Sequence, residues 1–225
     1  MRDAEQACSQ YSCYICRLRR REQVVGKQKP EEVIIFKCRA NPFSVHFKWL
    51  GDEGKGREVT FVGGKGDDKL HILTAAGDIP FTPAGRRLDM PINNLLVKSA
   101  SKYPITEAGV CRIVARFHRL SDDERRGLPG LTIKYLGMMQ RPEFPTPLEM
   151  VELTLPPNRE PEAPQGGRRL LGFDPTLKWP VFSTTFDPDG REIDYYCFDR
   201  FQLNVRLDDD DFDPEKLWPI KKNVP

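Results

Sequence analysis

Three features of the sequence predict a mostly β fold of the α+β class. A meander of short alternating segments runs from Glu31 to Leu73. A single clear helical stripe stands near the middle of the chain. Finally, 20 prolines and 17 glycines punctuate the 225 residues. Alternation places successive side chains on opposite faces of a strand, and frequent Pro and Gly favour turns over long helices. The resulting count is roughly nine or ten strands against one good helix.

Residues 1–9 form the end of a short helix, ahead of a single domain over 10–215 and a proline-containing tail at 216–225. Tyr11 to Val25 is a long first strand, apolar at its start and basic past Arg17. Glu32 to Arg39 follows and is broken by Asn41-Pro42. Val45, Phe47 and Trp49 then alternate with His46 and Lys48, and Gly51 to Gly54 turns the chain back into Arg57 to Val62. Gly63 to Asp68 is a hairpin loop leading into Lys69 to Leu73. Thr74 to Met90, with Gly77, Pro80, Pro83 and Gly85, is a loop whose Ile79, Phe81 and Leu88 can tuck against apolar surface.

Tyr103 to Gly109 carries the helix start. Thr106 caps, Glu107 complements the positive end of the helix dipole, and Ile105 serves as a staple. Val110, Ile113, Val114 and Phe117 recur at i, i+3, i+4 and i+7, so they share one apolar face that lies on a sheet. Gly127 and Pro129 stop the helix. Strands resume at Leu131 to Leu136 and Leu148 to Leu155, followed by an exposed loop from Pro156 to Gly167. Leu170 to Pro175 and Trp179 to Phe186 come next. Asp187-Pro188-Asp189-Gly190 has the signature of a type I turn before one or two strands over Arg191 to Leu207. The acidic run Asp208 to Asp213 is expected to be solvated.

Composition limits the function classes. A hydrophobic fraction of 39% suffices for a core. The near-balance of 35 basic and 33 acidic residues argues against a dedicated nucleic-acid binder. No apolar run is long enough for a transmembrane helix. As written, the amino terminus lacks the apolar core of an export signal, which implies the cytoplasm unless the true start lies upstream. Six cysteines are too sparse for a disulfide scaffold at this length, and most are expected as small buried apolar residues.

No stretch carries a reaction. In Cys13-Tyr14-Ile15-Cys16 the odd spacing along a strand puts the two thiols on opposite faces, so they do not share a metal. The loop Gly63 to Lys69 lacks the Gly-Lys-Ser/Thr ending and the following helix of a phosphate loop. His46, His71 and His118 have no evident base or metal role, with His46 and His71 at outward strand positions. The expectation is a protein without catalysis, cofactor or metal. Arg17, Arg19 and Arg21 share a strand face. They form either a solvated outer face or a strip for anionic headgroups or an acidic partner segment. The aromatic residues also have two readings, plain core or the wall of an apolar pocket between sheet and helix. On the second reading Phe36, Phe47, Trp49, Phe61 and Tyr135 from strands, with Val110, Val114 and Phe117 from the helix, line the ligand.

Read together, Tyr11-Ser12-Cys13, Arg20-Arg21-Glu22, Asn41 to Val45, Lys55 to Val59, Gly64 to Leu70, Tyr103 to Gly109, Phe173-Asp174-Pro175 and Asp211 to Pro214 resemble the bacterial family called domain of unknown function 1571. The resemblance spans about residues 10–215. That family is in turn similar to the LolA/LolB/RseB group. The resemblance implies a curved antiparallel sheet forming an incomplete barrel, with the amphipathic helix on its concave face. It also implies binding of lipoprotein acyl chains or an envelope protein partner, and a place in the cell envelope or periplasm. Family members usually carry an export signal, and the run of arginines after Cys16 is longer than the family pattern. Non-enzymatic carriage of a lipid, lipoprotein acyl chain or other apolar ligand is the function expected. A regulatory or adaptor domain binding a partner through its sheet surface or basic strip is the alternative.

Overall fold

The structure, a computed structural model, describes residues 2–64, 69–79 and 81–219; positions 65–68 of the expected hairpin loop and 220–225 of the expected tail lie outside the described residues. In chain order the elements are α1 (Arg2–Gln10), β1 (Cys13–Val24), β2 (Lys27–Gln28), β3 (Glu32–Arg39), β4 (Ser44–Trp49), β5 (Glu58–Val62), β6 (Lys69–Leu73) and β7 (Arg87–Pro91). Then come α2 (Leu95–Ala100), α3 (Val110–Arg125), β8 (Thr132–Met139), β9 (Leu148–Leu155), β10 (Gly167–Phe173), β11 (Pro180–Phe186), β12 (Glu192–Leu203) and α4 (Pro214–Leu217). The strands form one open sheet in the order β7-β6-β5-β4-β3-β1-β12-β11-β10-β9-β8, with β2 paired on β1. Every register described is antiparallel, and β7 occupies part of the expected loop. β1 turns into β2 through Val25 and Gly26, both at positive φ, the backbone that a two-residue hairpin requires.

The chain packs as two compact units. Of the described residues, the first unit holds 2–10, 19–31 and 99–199, and the second holds 11–18, 32–64, 69–79, 81–98 and 200–219. β1 and β12 each contribute residues to both.

In the first unit the register sorts side chains onto two faces, because directly opposed residues of antiparallel strands point the same way. Ile133, Leu153 and Arg169 line up across β8, β9 and β10, and Val151 and Leu171 form the next row. This face carries α3. Phe117 and Leu120 pack with Leu131, Leu153, Leu155, Ala163, Leu171 and Ile193, and Phe117 also meets Phe173 at 5.7 Å between rings. The expected stripe is observed, with Val110, Val114, Phe117 and Leu120 buried, each such side chain worth about 1.5–3 kcal/mol. The helix start differs from expectation. Ile105–Glu107 is an isolated 3₁₀ turn, Ala108 is extended, and the cap is Gly109 at φ 100° with no side-chain bond. Gly109 cannot continue a right-handed helix at that angle, so Thr106 does not cap α3. Gly127, at φ 77°, does stand just past its end.

The cysteine expectation needs one correction. Cys8 of α1 is joined to Cys111 of α3, 103 residues away, while Cys13, Cys16, Cys38 and Cys197 are free.

In the second unit Ile34, Phe36, Cys38, Val45, Phe47, Trp49, Val59 and Phe61 share one face of β3, β4 and β5. Lys37, Arg39, Ser44, His46, Lys48, Glu58 and Thr60 share the other. That polar face is covered, not solvated. Asp208 to Trp218 lies along it. Lys37 pairs with Asp211 at 2.7 Å, Arg39 with Asp209 at 2.8 Å, and Thr60 Oγ1 donates to the Phe212 carbonyl at 2.9 Å. Phe212 and Trp218 are buried. Asp208, Asp209 and Asp210 are exposed, as expected of an acidic run, while the segment that carries them is tied to the sheet by a capping box at Asp208, by its ion pairs and by buried Phe212 and Trp218. His46 is buried beneath it, not outward.

Candidate functional site

The α3-bearing face of the first unit combines an apolar end with a polar one. At the apolar end β8 contains a bulge. Tyr135 opposes Val151, but Gly137 opposes Met150, so Leu136 is the inserted residue and Gly137 takes φ 85°. Tyr135 and Met138 are three apart and would face opposite sides of a regular strand. The extra residue puts both on the α3 side, where Met138 opposes Glu149, itself opposite Phe173. Tyr135 is 62% and Met138 52% exposed, while Val151 opposite Tyr135 and Phe173 one strand further on are half-buried. Part of this face thus stays apolar and open beside the area that the helix covers.

The polar end is buried. Arg169 on β10 pairs with Glu160 at 2.6 Å, donates to Thr185 Oγ1 at 2.9 Å, and donates to Tyr103 Oη at 3.2 Å. Tyr103 in turn donates to Asp194 at 2.8 Å. The strand register places Arg169, Thr185 and Asp194 in one row of the α3 face. Burial alone would lower the Arg169 pKa, but Tyr103, Glu160 and Asp194 outweigh it and raise it. Burial holds the hydroxyls of Tyr103 and Tyr196 well above the usual phenol value. Tyr196 donates to Glu22, which also accepts from Ser101 Oγ and the Lys102 backbone N–H. Between the α3 end of this cluster and the 156–166 loop lies a cleft of about 290 Å³. It is lined by Pro104, Glu107, Arg116, Arg119, Leu120, Arg159, Glu160, Pro161 and Glu162.

The residues expected to wall an apolar pocket separate into two sets. Phe36, Phe47, Trp49 and Phe61 belong to the second unit and are buried, with Phe36 and Phe47 at 4.8 Å and Phe47 and Trp49 at 6.0 Å between rings. Trp49 Nε1 donates to Glu32 at 2.8 Å, which fixes the indole in place. Val110, Val114 and Phe117 belong to the first unit and are buried on α3, while Tyr135 stands exposed on β8. Of the basic strip, Arg19 and Arg21 lie on the face opposite α3. Arg21 holds Glu192 at 2.8 and 3.0 Å and Glu31 at 2.7 Å, and stacks over Tyr195 at 3.9 Å. Arg19 donates to Cys197 Sγ at 3.1 Å and lies 4.0 Å from Asp199. Arg17 falls in the second unit.

Sequence reasoning missed Met138, the bulge, and the Arg169–Glu160–Tyr103–Asp194 cluster. The glycine inside the β8 pattern was the available signal for the bulge. Among the described residues no group of three or more His, Cys, Asp or Glu side chains is placed to hold a metal ion. Among them, too, no helix is long and apolar enough to cross a membrane.

Several solved proteins share this architecture at low identity. An uncharacterized conserved protein from Thermus thermophilus is 8% identical, with 94% of this chain and 88% of that one covered and a TM-score of 0.52. The Mycobacterium tuberculosis lipoprotein LppX is 12% identical, with 92% and 95% covered and a TM-score of 0.50. A LolA superfamily protein from Nitrosomonas europaea is 8% identical, with 94% of each chain covered and a TM-score of 0.38. The first two likenesses show the fold, an open, mostly β sheet of the kind LppX has. A search of curated protein sequences finds no match. The chain belongs to the family described as Protein of unknown function (DUF1571), which matches residues 11–217. This is the family expected from the sequence motifs.

Proposed function

We propose that the protein binds an apolar chain, a lipid or the acyl group of a lipoprotein, without converting it. In this reading the ligand lies on the α3-bearing face of the first unit, against Tyr135 and Met138. The observation that carries it is the bulge in β8, which turns these two exposed side chains onto one face, with Tyr135 opposite half-buried Val151 and half-buried Phe173 further along the same face. Exposed apolar residues scattered singly mean little, whereas a contiguous apolar area marks a binding surface. Methionine adapts its unbranched side chain to irregular ligands, and tyrosine offers a wide apolar ring with a wet edge. Val110, Val114 and Phe117 are assigned to holding α3 on the sheet, and Phe36, Phe47, Trp49 and Phe61 to packing the second unit.

Two further observations support this reading. The fold is shared with a lipoprotein, LppX. The Cys8–Cys111 disulfide suits an oxidising compartment such as the cell envelope, where lipids and lipoproteins are the partners at hand. The alternative, a partner-binding strip of arginines, draws less support because Arg21 is engaged by Glu192 and Glu31.

The test is native mass spectrometry of gently purified protein, followed by titration with fatty acids and lipopeptides. Co-purified acyl ligand, or uptake of added ligand that Tyr135→Asp with Met138→Asp removes, is the expected result. Protein that stays empty throughout overturns the proposal.

A further inference from the structure

The polar cleft beside α3 goes beyond an apolar surface and stands independently of it. Its central group is Arg116, whose side chain is only 15% exposed. The guanidinium lies over the Tyr103 ring at 4.5 Å, and that ring is fixed by the bond from its hydroxyl to Asp194. Its carboxylate neighbours stand off, with Glu107 at 3.5 Å and Glu160 and Glu162 each at 4.0 Å. Those separations exceed the 2.7–3.2 Å of an N–H···O hydrogen bond. Among the described residues Arg116 donates no hydrogen bond, although a guanidinium carries five N–H groups. A sheltered arginine held by stacking and by long ion pairs, with its planar fork making no hydrogen bond at the wall of a cleft, is suited to a carboxylate or phosphate oxyanion.

The other charges refine the ligand. Glu160 is taken by Arg169 at 2.6 Å, and Arg159 is taken by Asp123. That leaves Arg116 and the more exposed Arg119 facing Glu107 and Glu162, two cations and two anions. A bare anion would meet repulsion from the two glutamates, and a bare cation would meet it from the two arginines. A molecule bearing both charges a few atoms apart satisfies both pairs. Leu120, Pro104 and Pro161 supply apolar surface for the short link between them. We infer that the cleft binds a small zwitterion, an oxyanion joined by a short linker to a primary ammonium group, with Arg116 holding the oxyanion and Glu107 and Glu162 the ammonium. An ethanolamine phosphate headgroup and a free amino acid share this chemistry.

The experiment is isothermal titration of the full chain with O-phosphoethanolamine, glycine, inorganic phosphate and ethanolamine. One or both zwitterions should bind at least about tenfold more tightly than phosphate or ethanolamine, a difference of about 1.4 kcal/mol. Arg116→Gln should weaken that binding about tenfold or more in protein that circular dichroism shows to be folded at the titration temperature, while Arg191→Gln, a surface change of equal charge, leaves it intact. If Arg116→Gln fails to fold, Glu162→Gln provides the second reading, since it should weaken the zwitterion while favouring phosphate. Preference for phosphoethanolamine, with competition by phosphatidylethanolamine vesicles, identifies a lipid headgroup. Preference for glycine without vesicle competition identifies a free amino acid. Phosphate binding as tightly as the zwitterions, no binding by any probe, or unchanged binding in both cleft variants overturns the inference. None of these outcomes depends on Tyr135 or Met138.

Discussion

The two units bury charge in different ways. In the first, Arg169, Glu160, Tyr103 and Asp194 form a closed cluster on the same sheet face that carries α3, and each partner comes from within residues 99–199. In the second, the charged face of β3, β4 and β5 is sealed by a strap from the far end of the chain. Trp218 donates to Glu58 at 2.9 Å, and Glu58 also holds His46 and Lys48 at 2.9 Å. The first arrangement is a cation surrounded by acceptors. The second is a carboxylate surrounded by donors. The difference teaches that a polar strand position is not by itself a solvent position, because either face can be covered when the partner chemistry is supplied. It also predicts different failures, since the first cluster breaks by losing its arginine and the second by gaining a proton.

The largest effect belongs to the first cluster. Replacing Arg169 with Met leaves Glu160 and Asp194 facing a buried apolar group, and removal of one partner from a buried ion pair costs about 3–5 kcal/mol. Urea denaturation should show that loss as a lowered midpoint, and adding Glu160→Met should recover part of it. A double variant no more stable than Arg169→Met alone would mean that Glu160 is not the group left stranded. Next in size is the Cys8–Cys111 link between α1 and α3. Closing a span of this length restricts the unfolded chain, so Cys8→Ala with Cys111→Ala should cost about 2–4 kcal/mol. Reducing the wild-type protein with dithiothreitol should lower its midpoint by a matching amount, and should not change the double variant.

Acid distinguishes the second unit. Burial pushes the Glu58 carboxyl up, but hydrogen bonds from His46, Trp218 and Lys48 outweigh burial and hold it at about 2 against an ordinary 4.5. A carboxylate whose pKa is depressed in the folded state contributes its full stability above the unfolded value. That contribution fades as pH falls from about 4.5 through about 2, here roughly 2–3 kcal/mol. Asp78 and Asp211 in the same unit are also held low by Arg57 and Lys37 against the opposing effect of burial, so they act in the same direction. Stability measured from pH 6 to pH 2 should therefore fall, and Glu58→Gln should flatten part of that slope. An equally steep acid limb in the variant would place the lost protons elsewhere.

Much of the fold could be read from local pattern. Val45, Phe47 and Trp49 do share a face, and so do Arg19 and Arg21, because strand period fixes sides without tertiary information. The α3 stripe is legible for the same reason. The unread parts depend on distant partners. Nothing near His46 reveals that Trp218 and Glu58 will enclose it, and nothing near Cys8 reveals Cys111 as its partner. Thr106 has the pattern of a cap because Thr-Glu precedes an apolar run, but the left-handed backbone at Gly109 starts the helix later. At the candidate site Tyr135 is legible in the sequence, whereas Met138 is not. A strict two-residue alternation assigns it to the other face, and only the inserted residue in β8 brings it round.

The smallest stability effect is the most informative about function. Tyr135 and Met138 stand more than half exposed, so Tyr135→Asp with Met138→Asp removes little buried surface. Exposed substitutions of this kind usually change stability by no more than about 0.5 kcal/mol. Phe117→Asp on the same face would place a charge in the α3 core and is expected to unfold the unit, so loss of ligand in that variant says nothing about contact. The paired comparison separates the two cases. If the β8 variant keeps its urea midpoint and loses affinity for a fluorescent fatty acid, the open end of the α3 face is where the chain is held. If it keeps both, the ligand lies elsewhere, and the apolar patch beside the bulge has no part in binding.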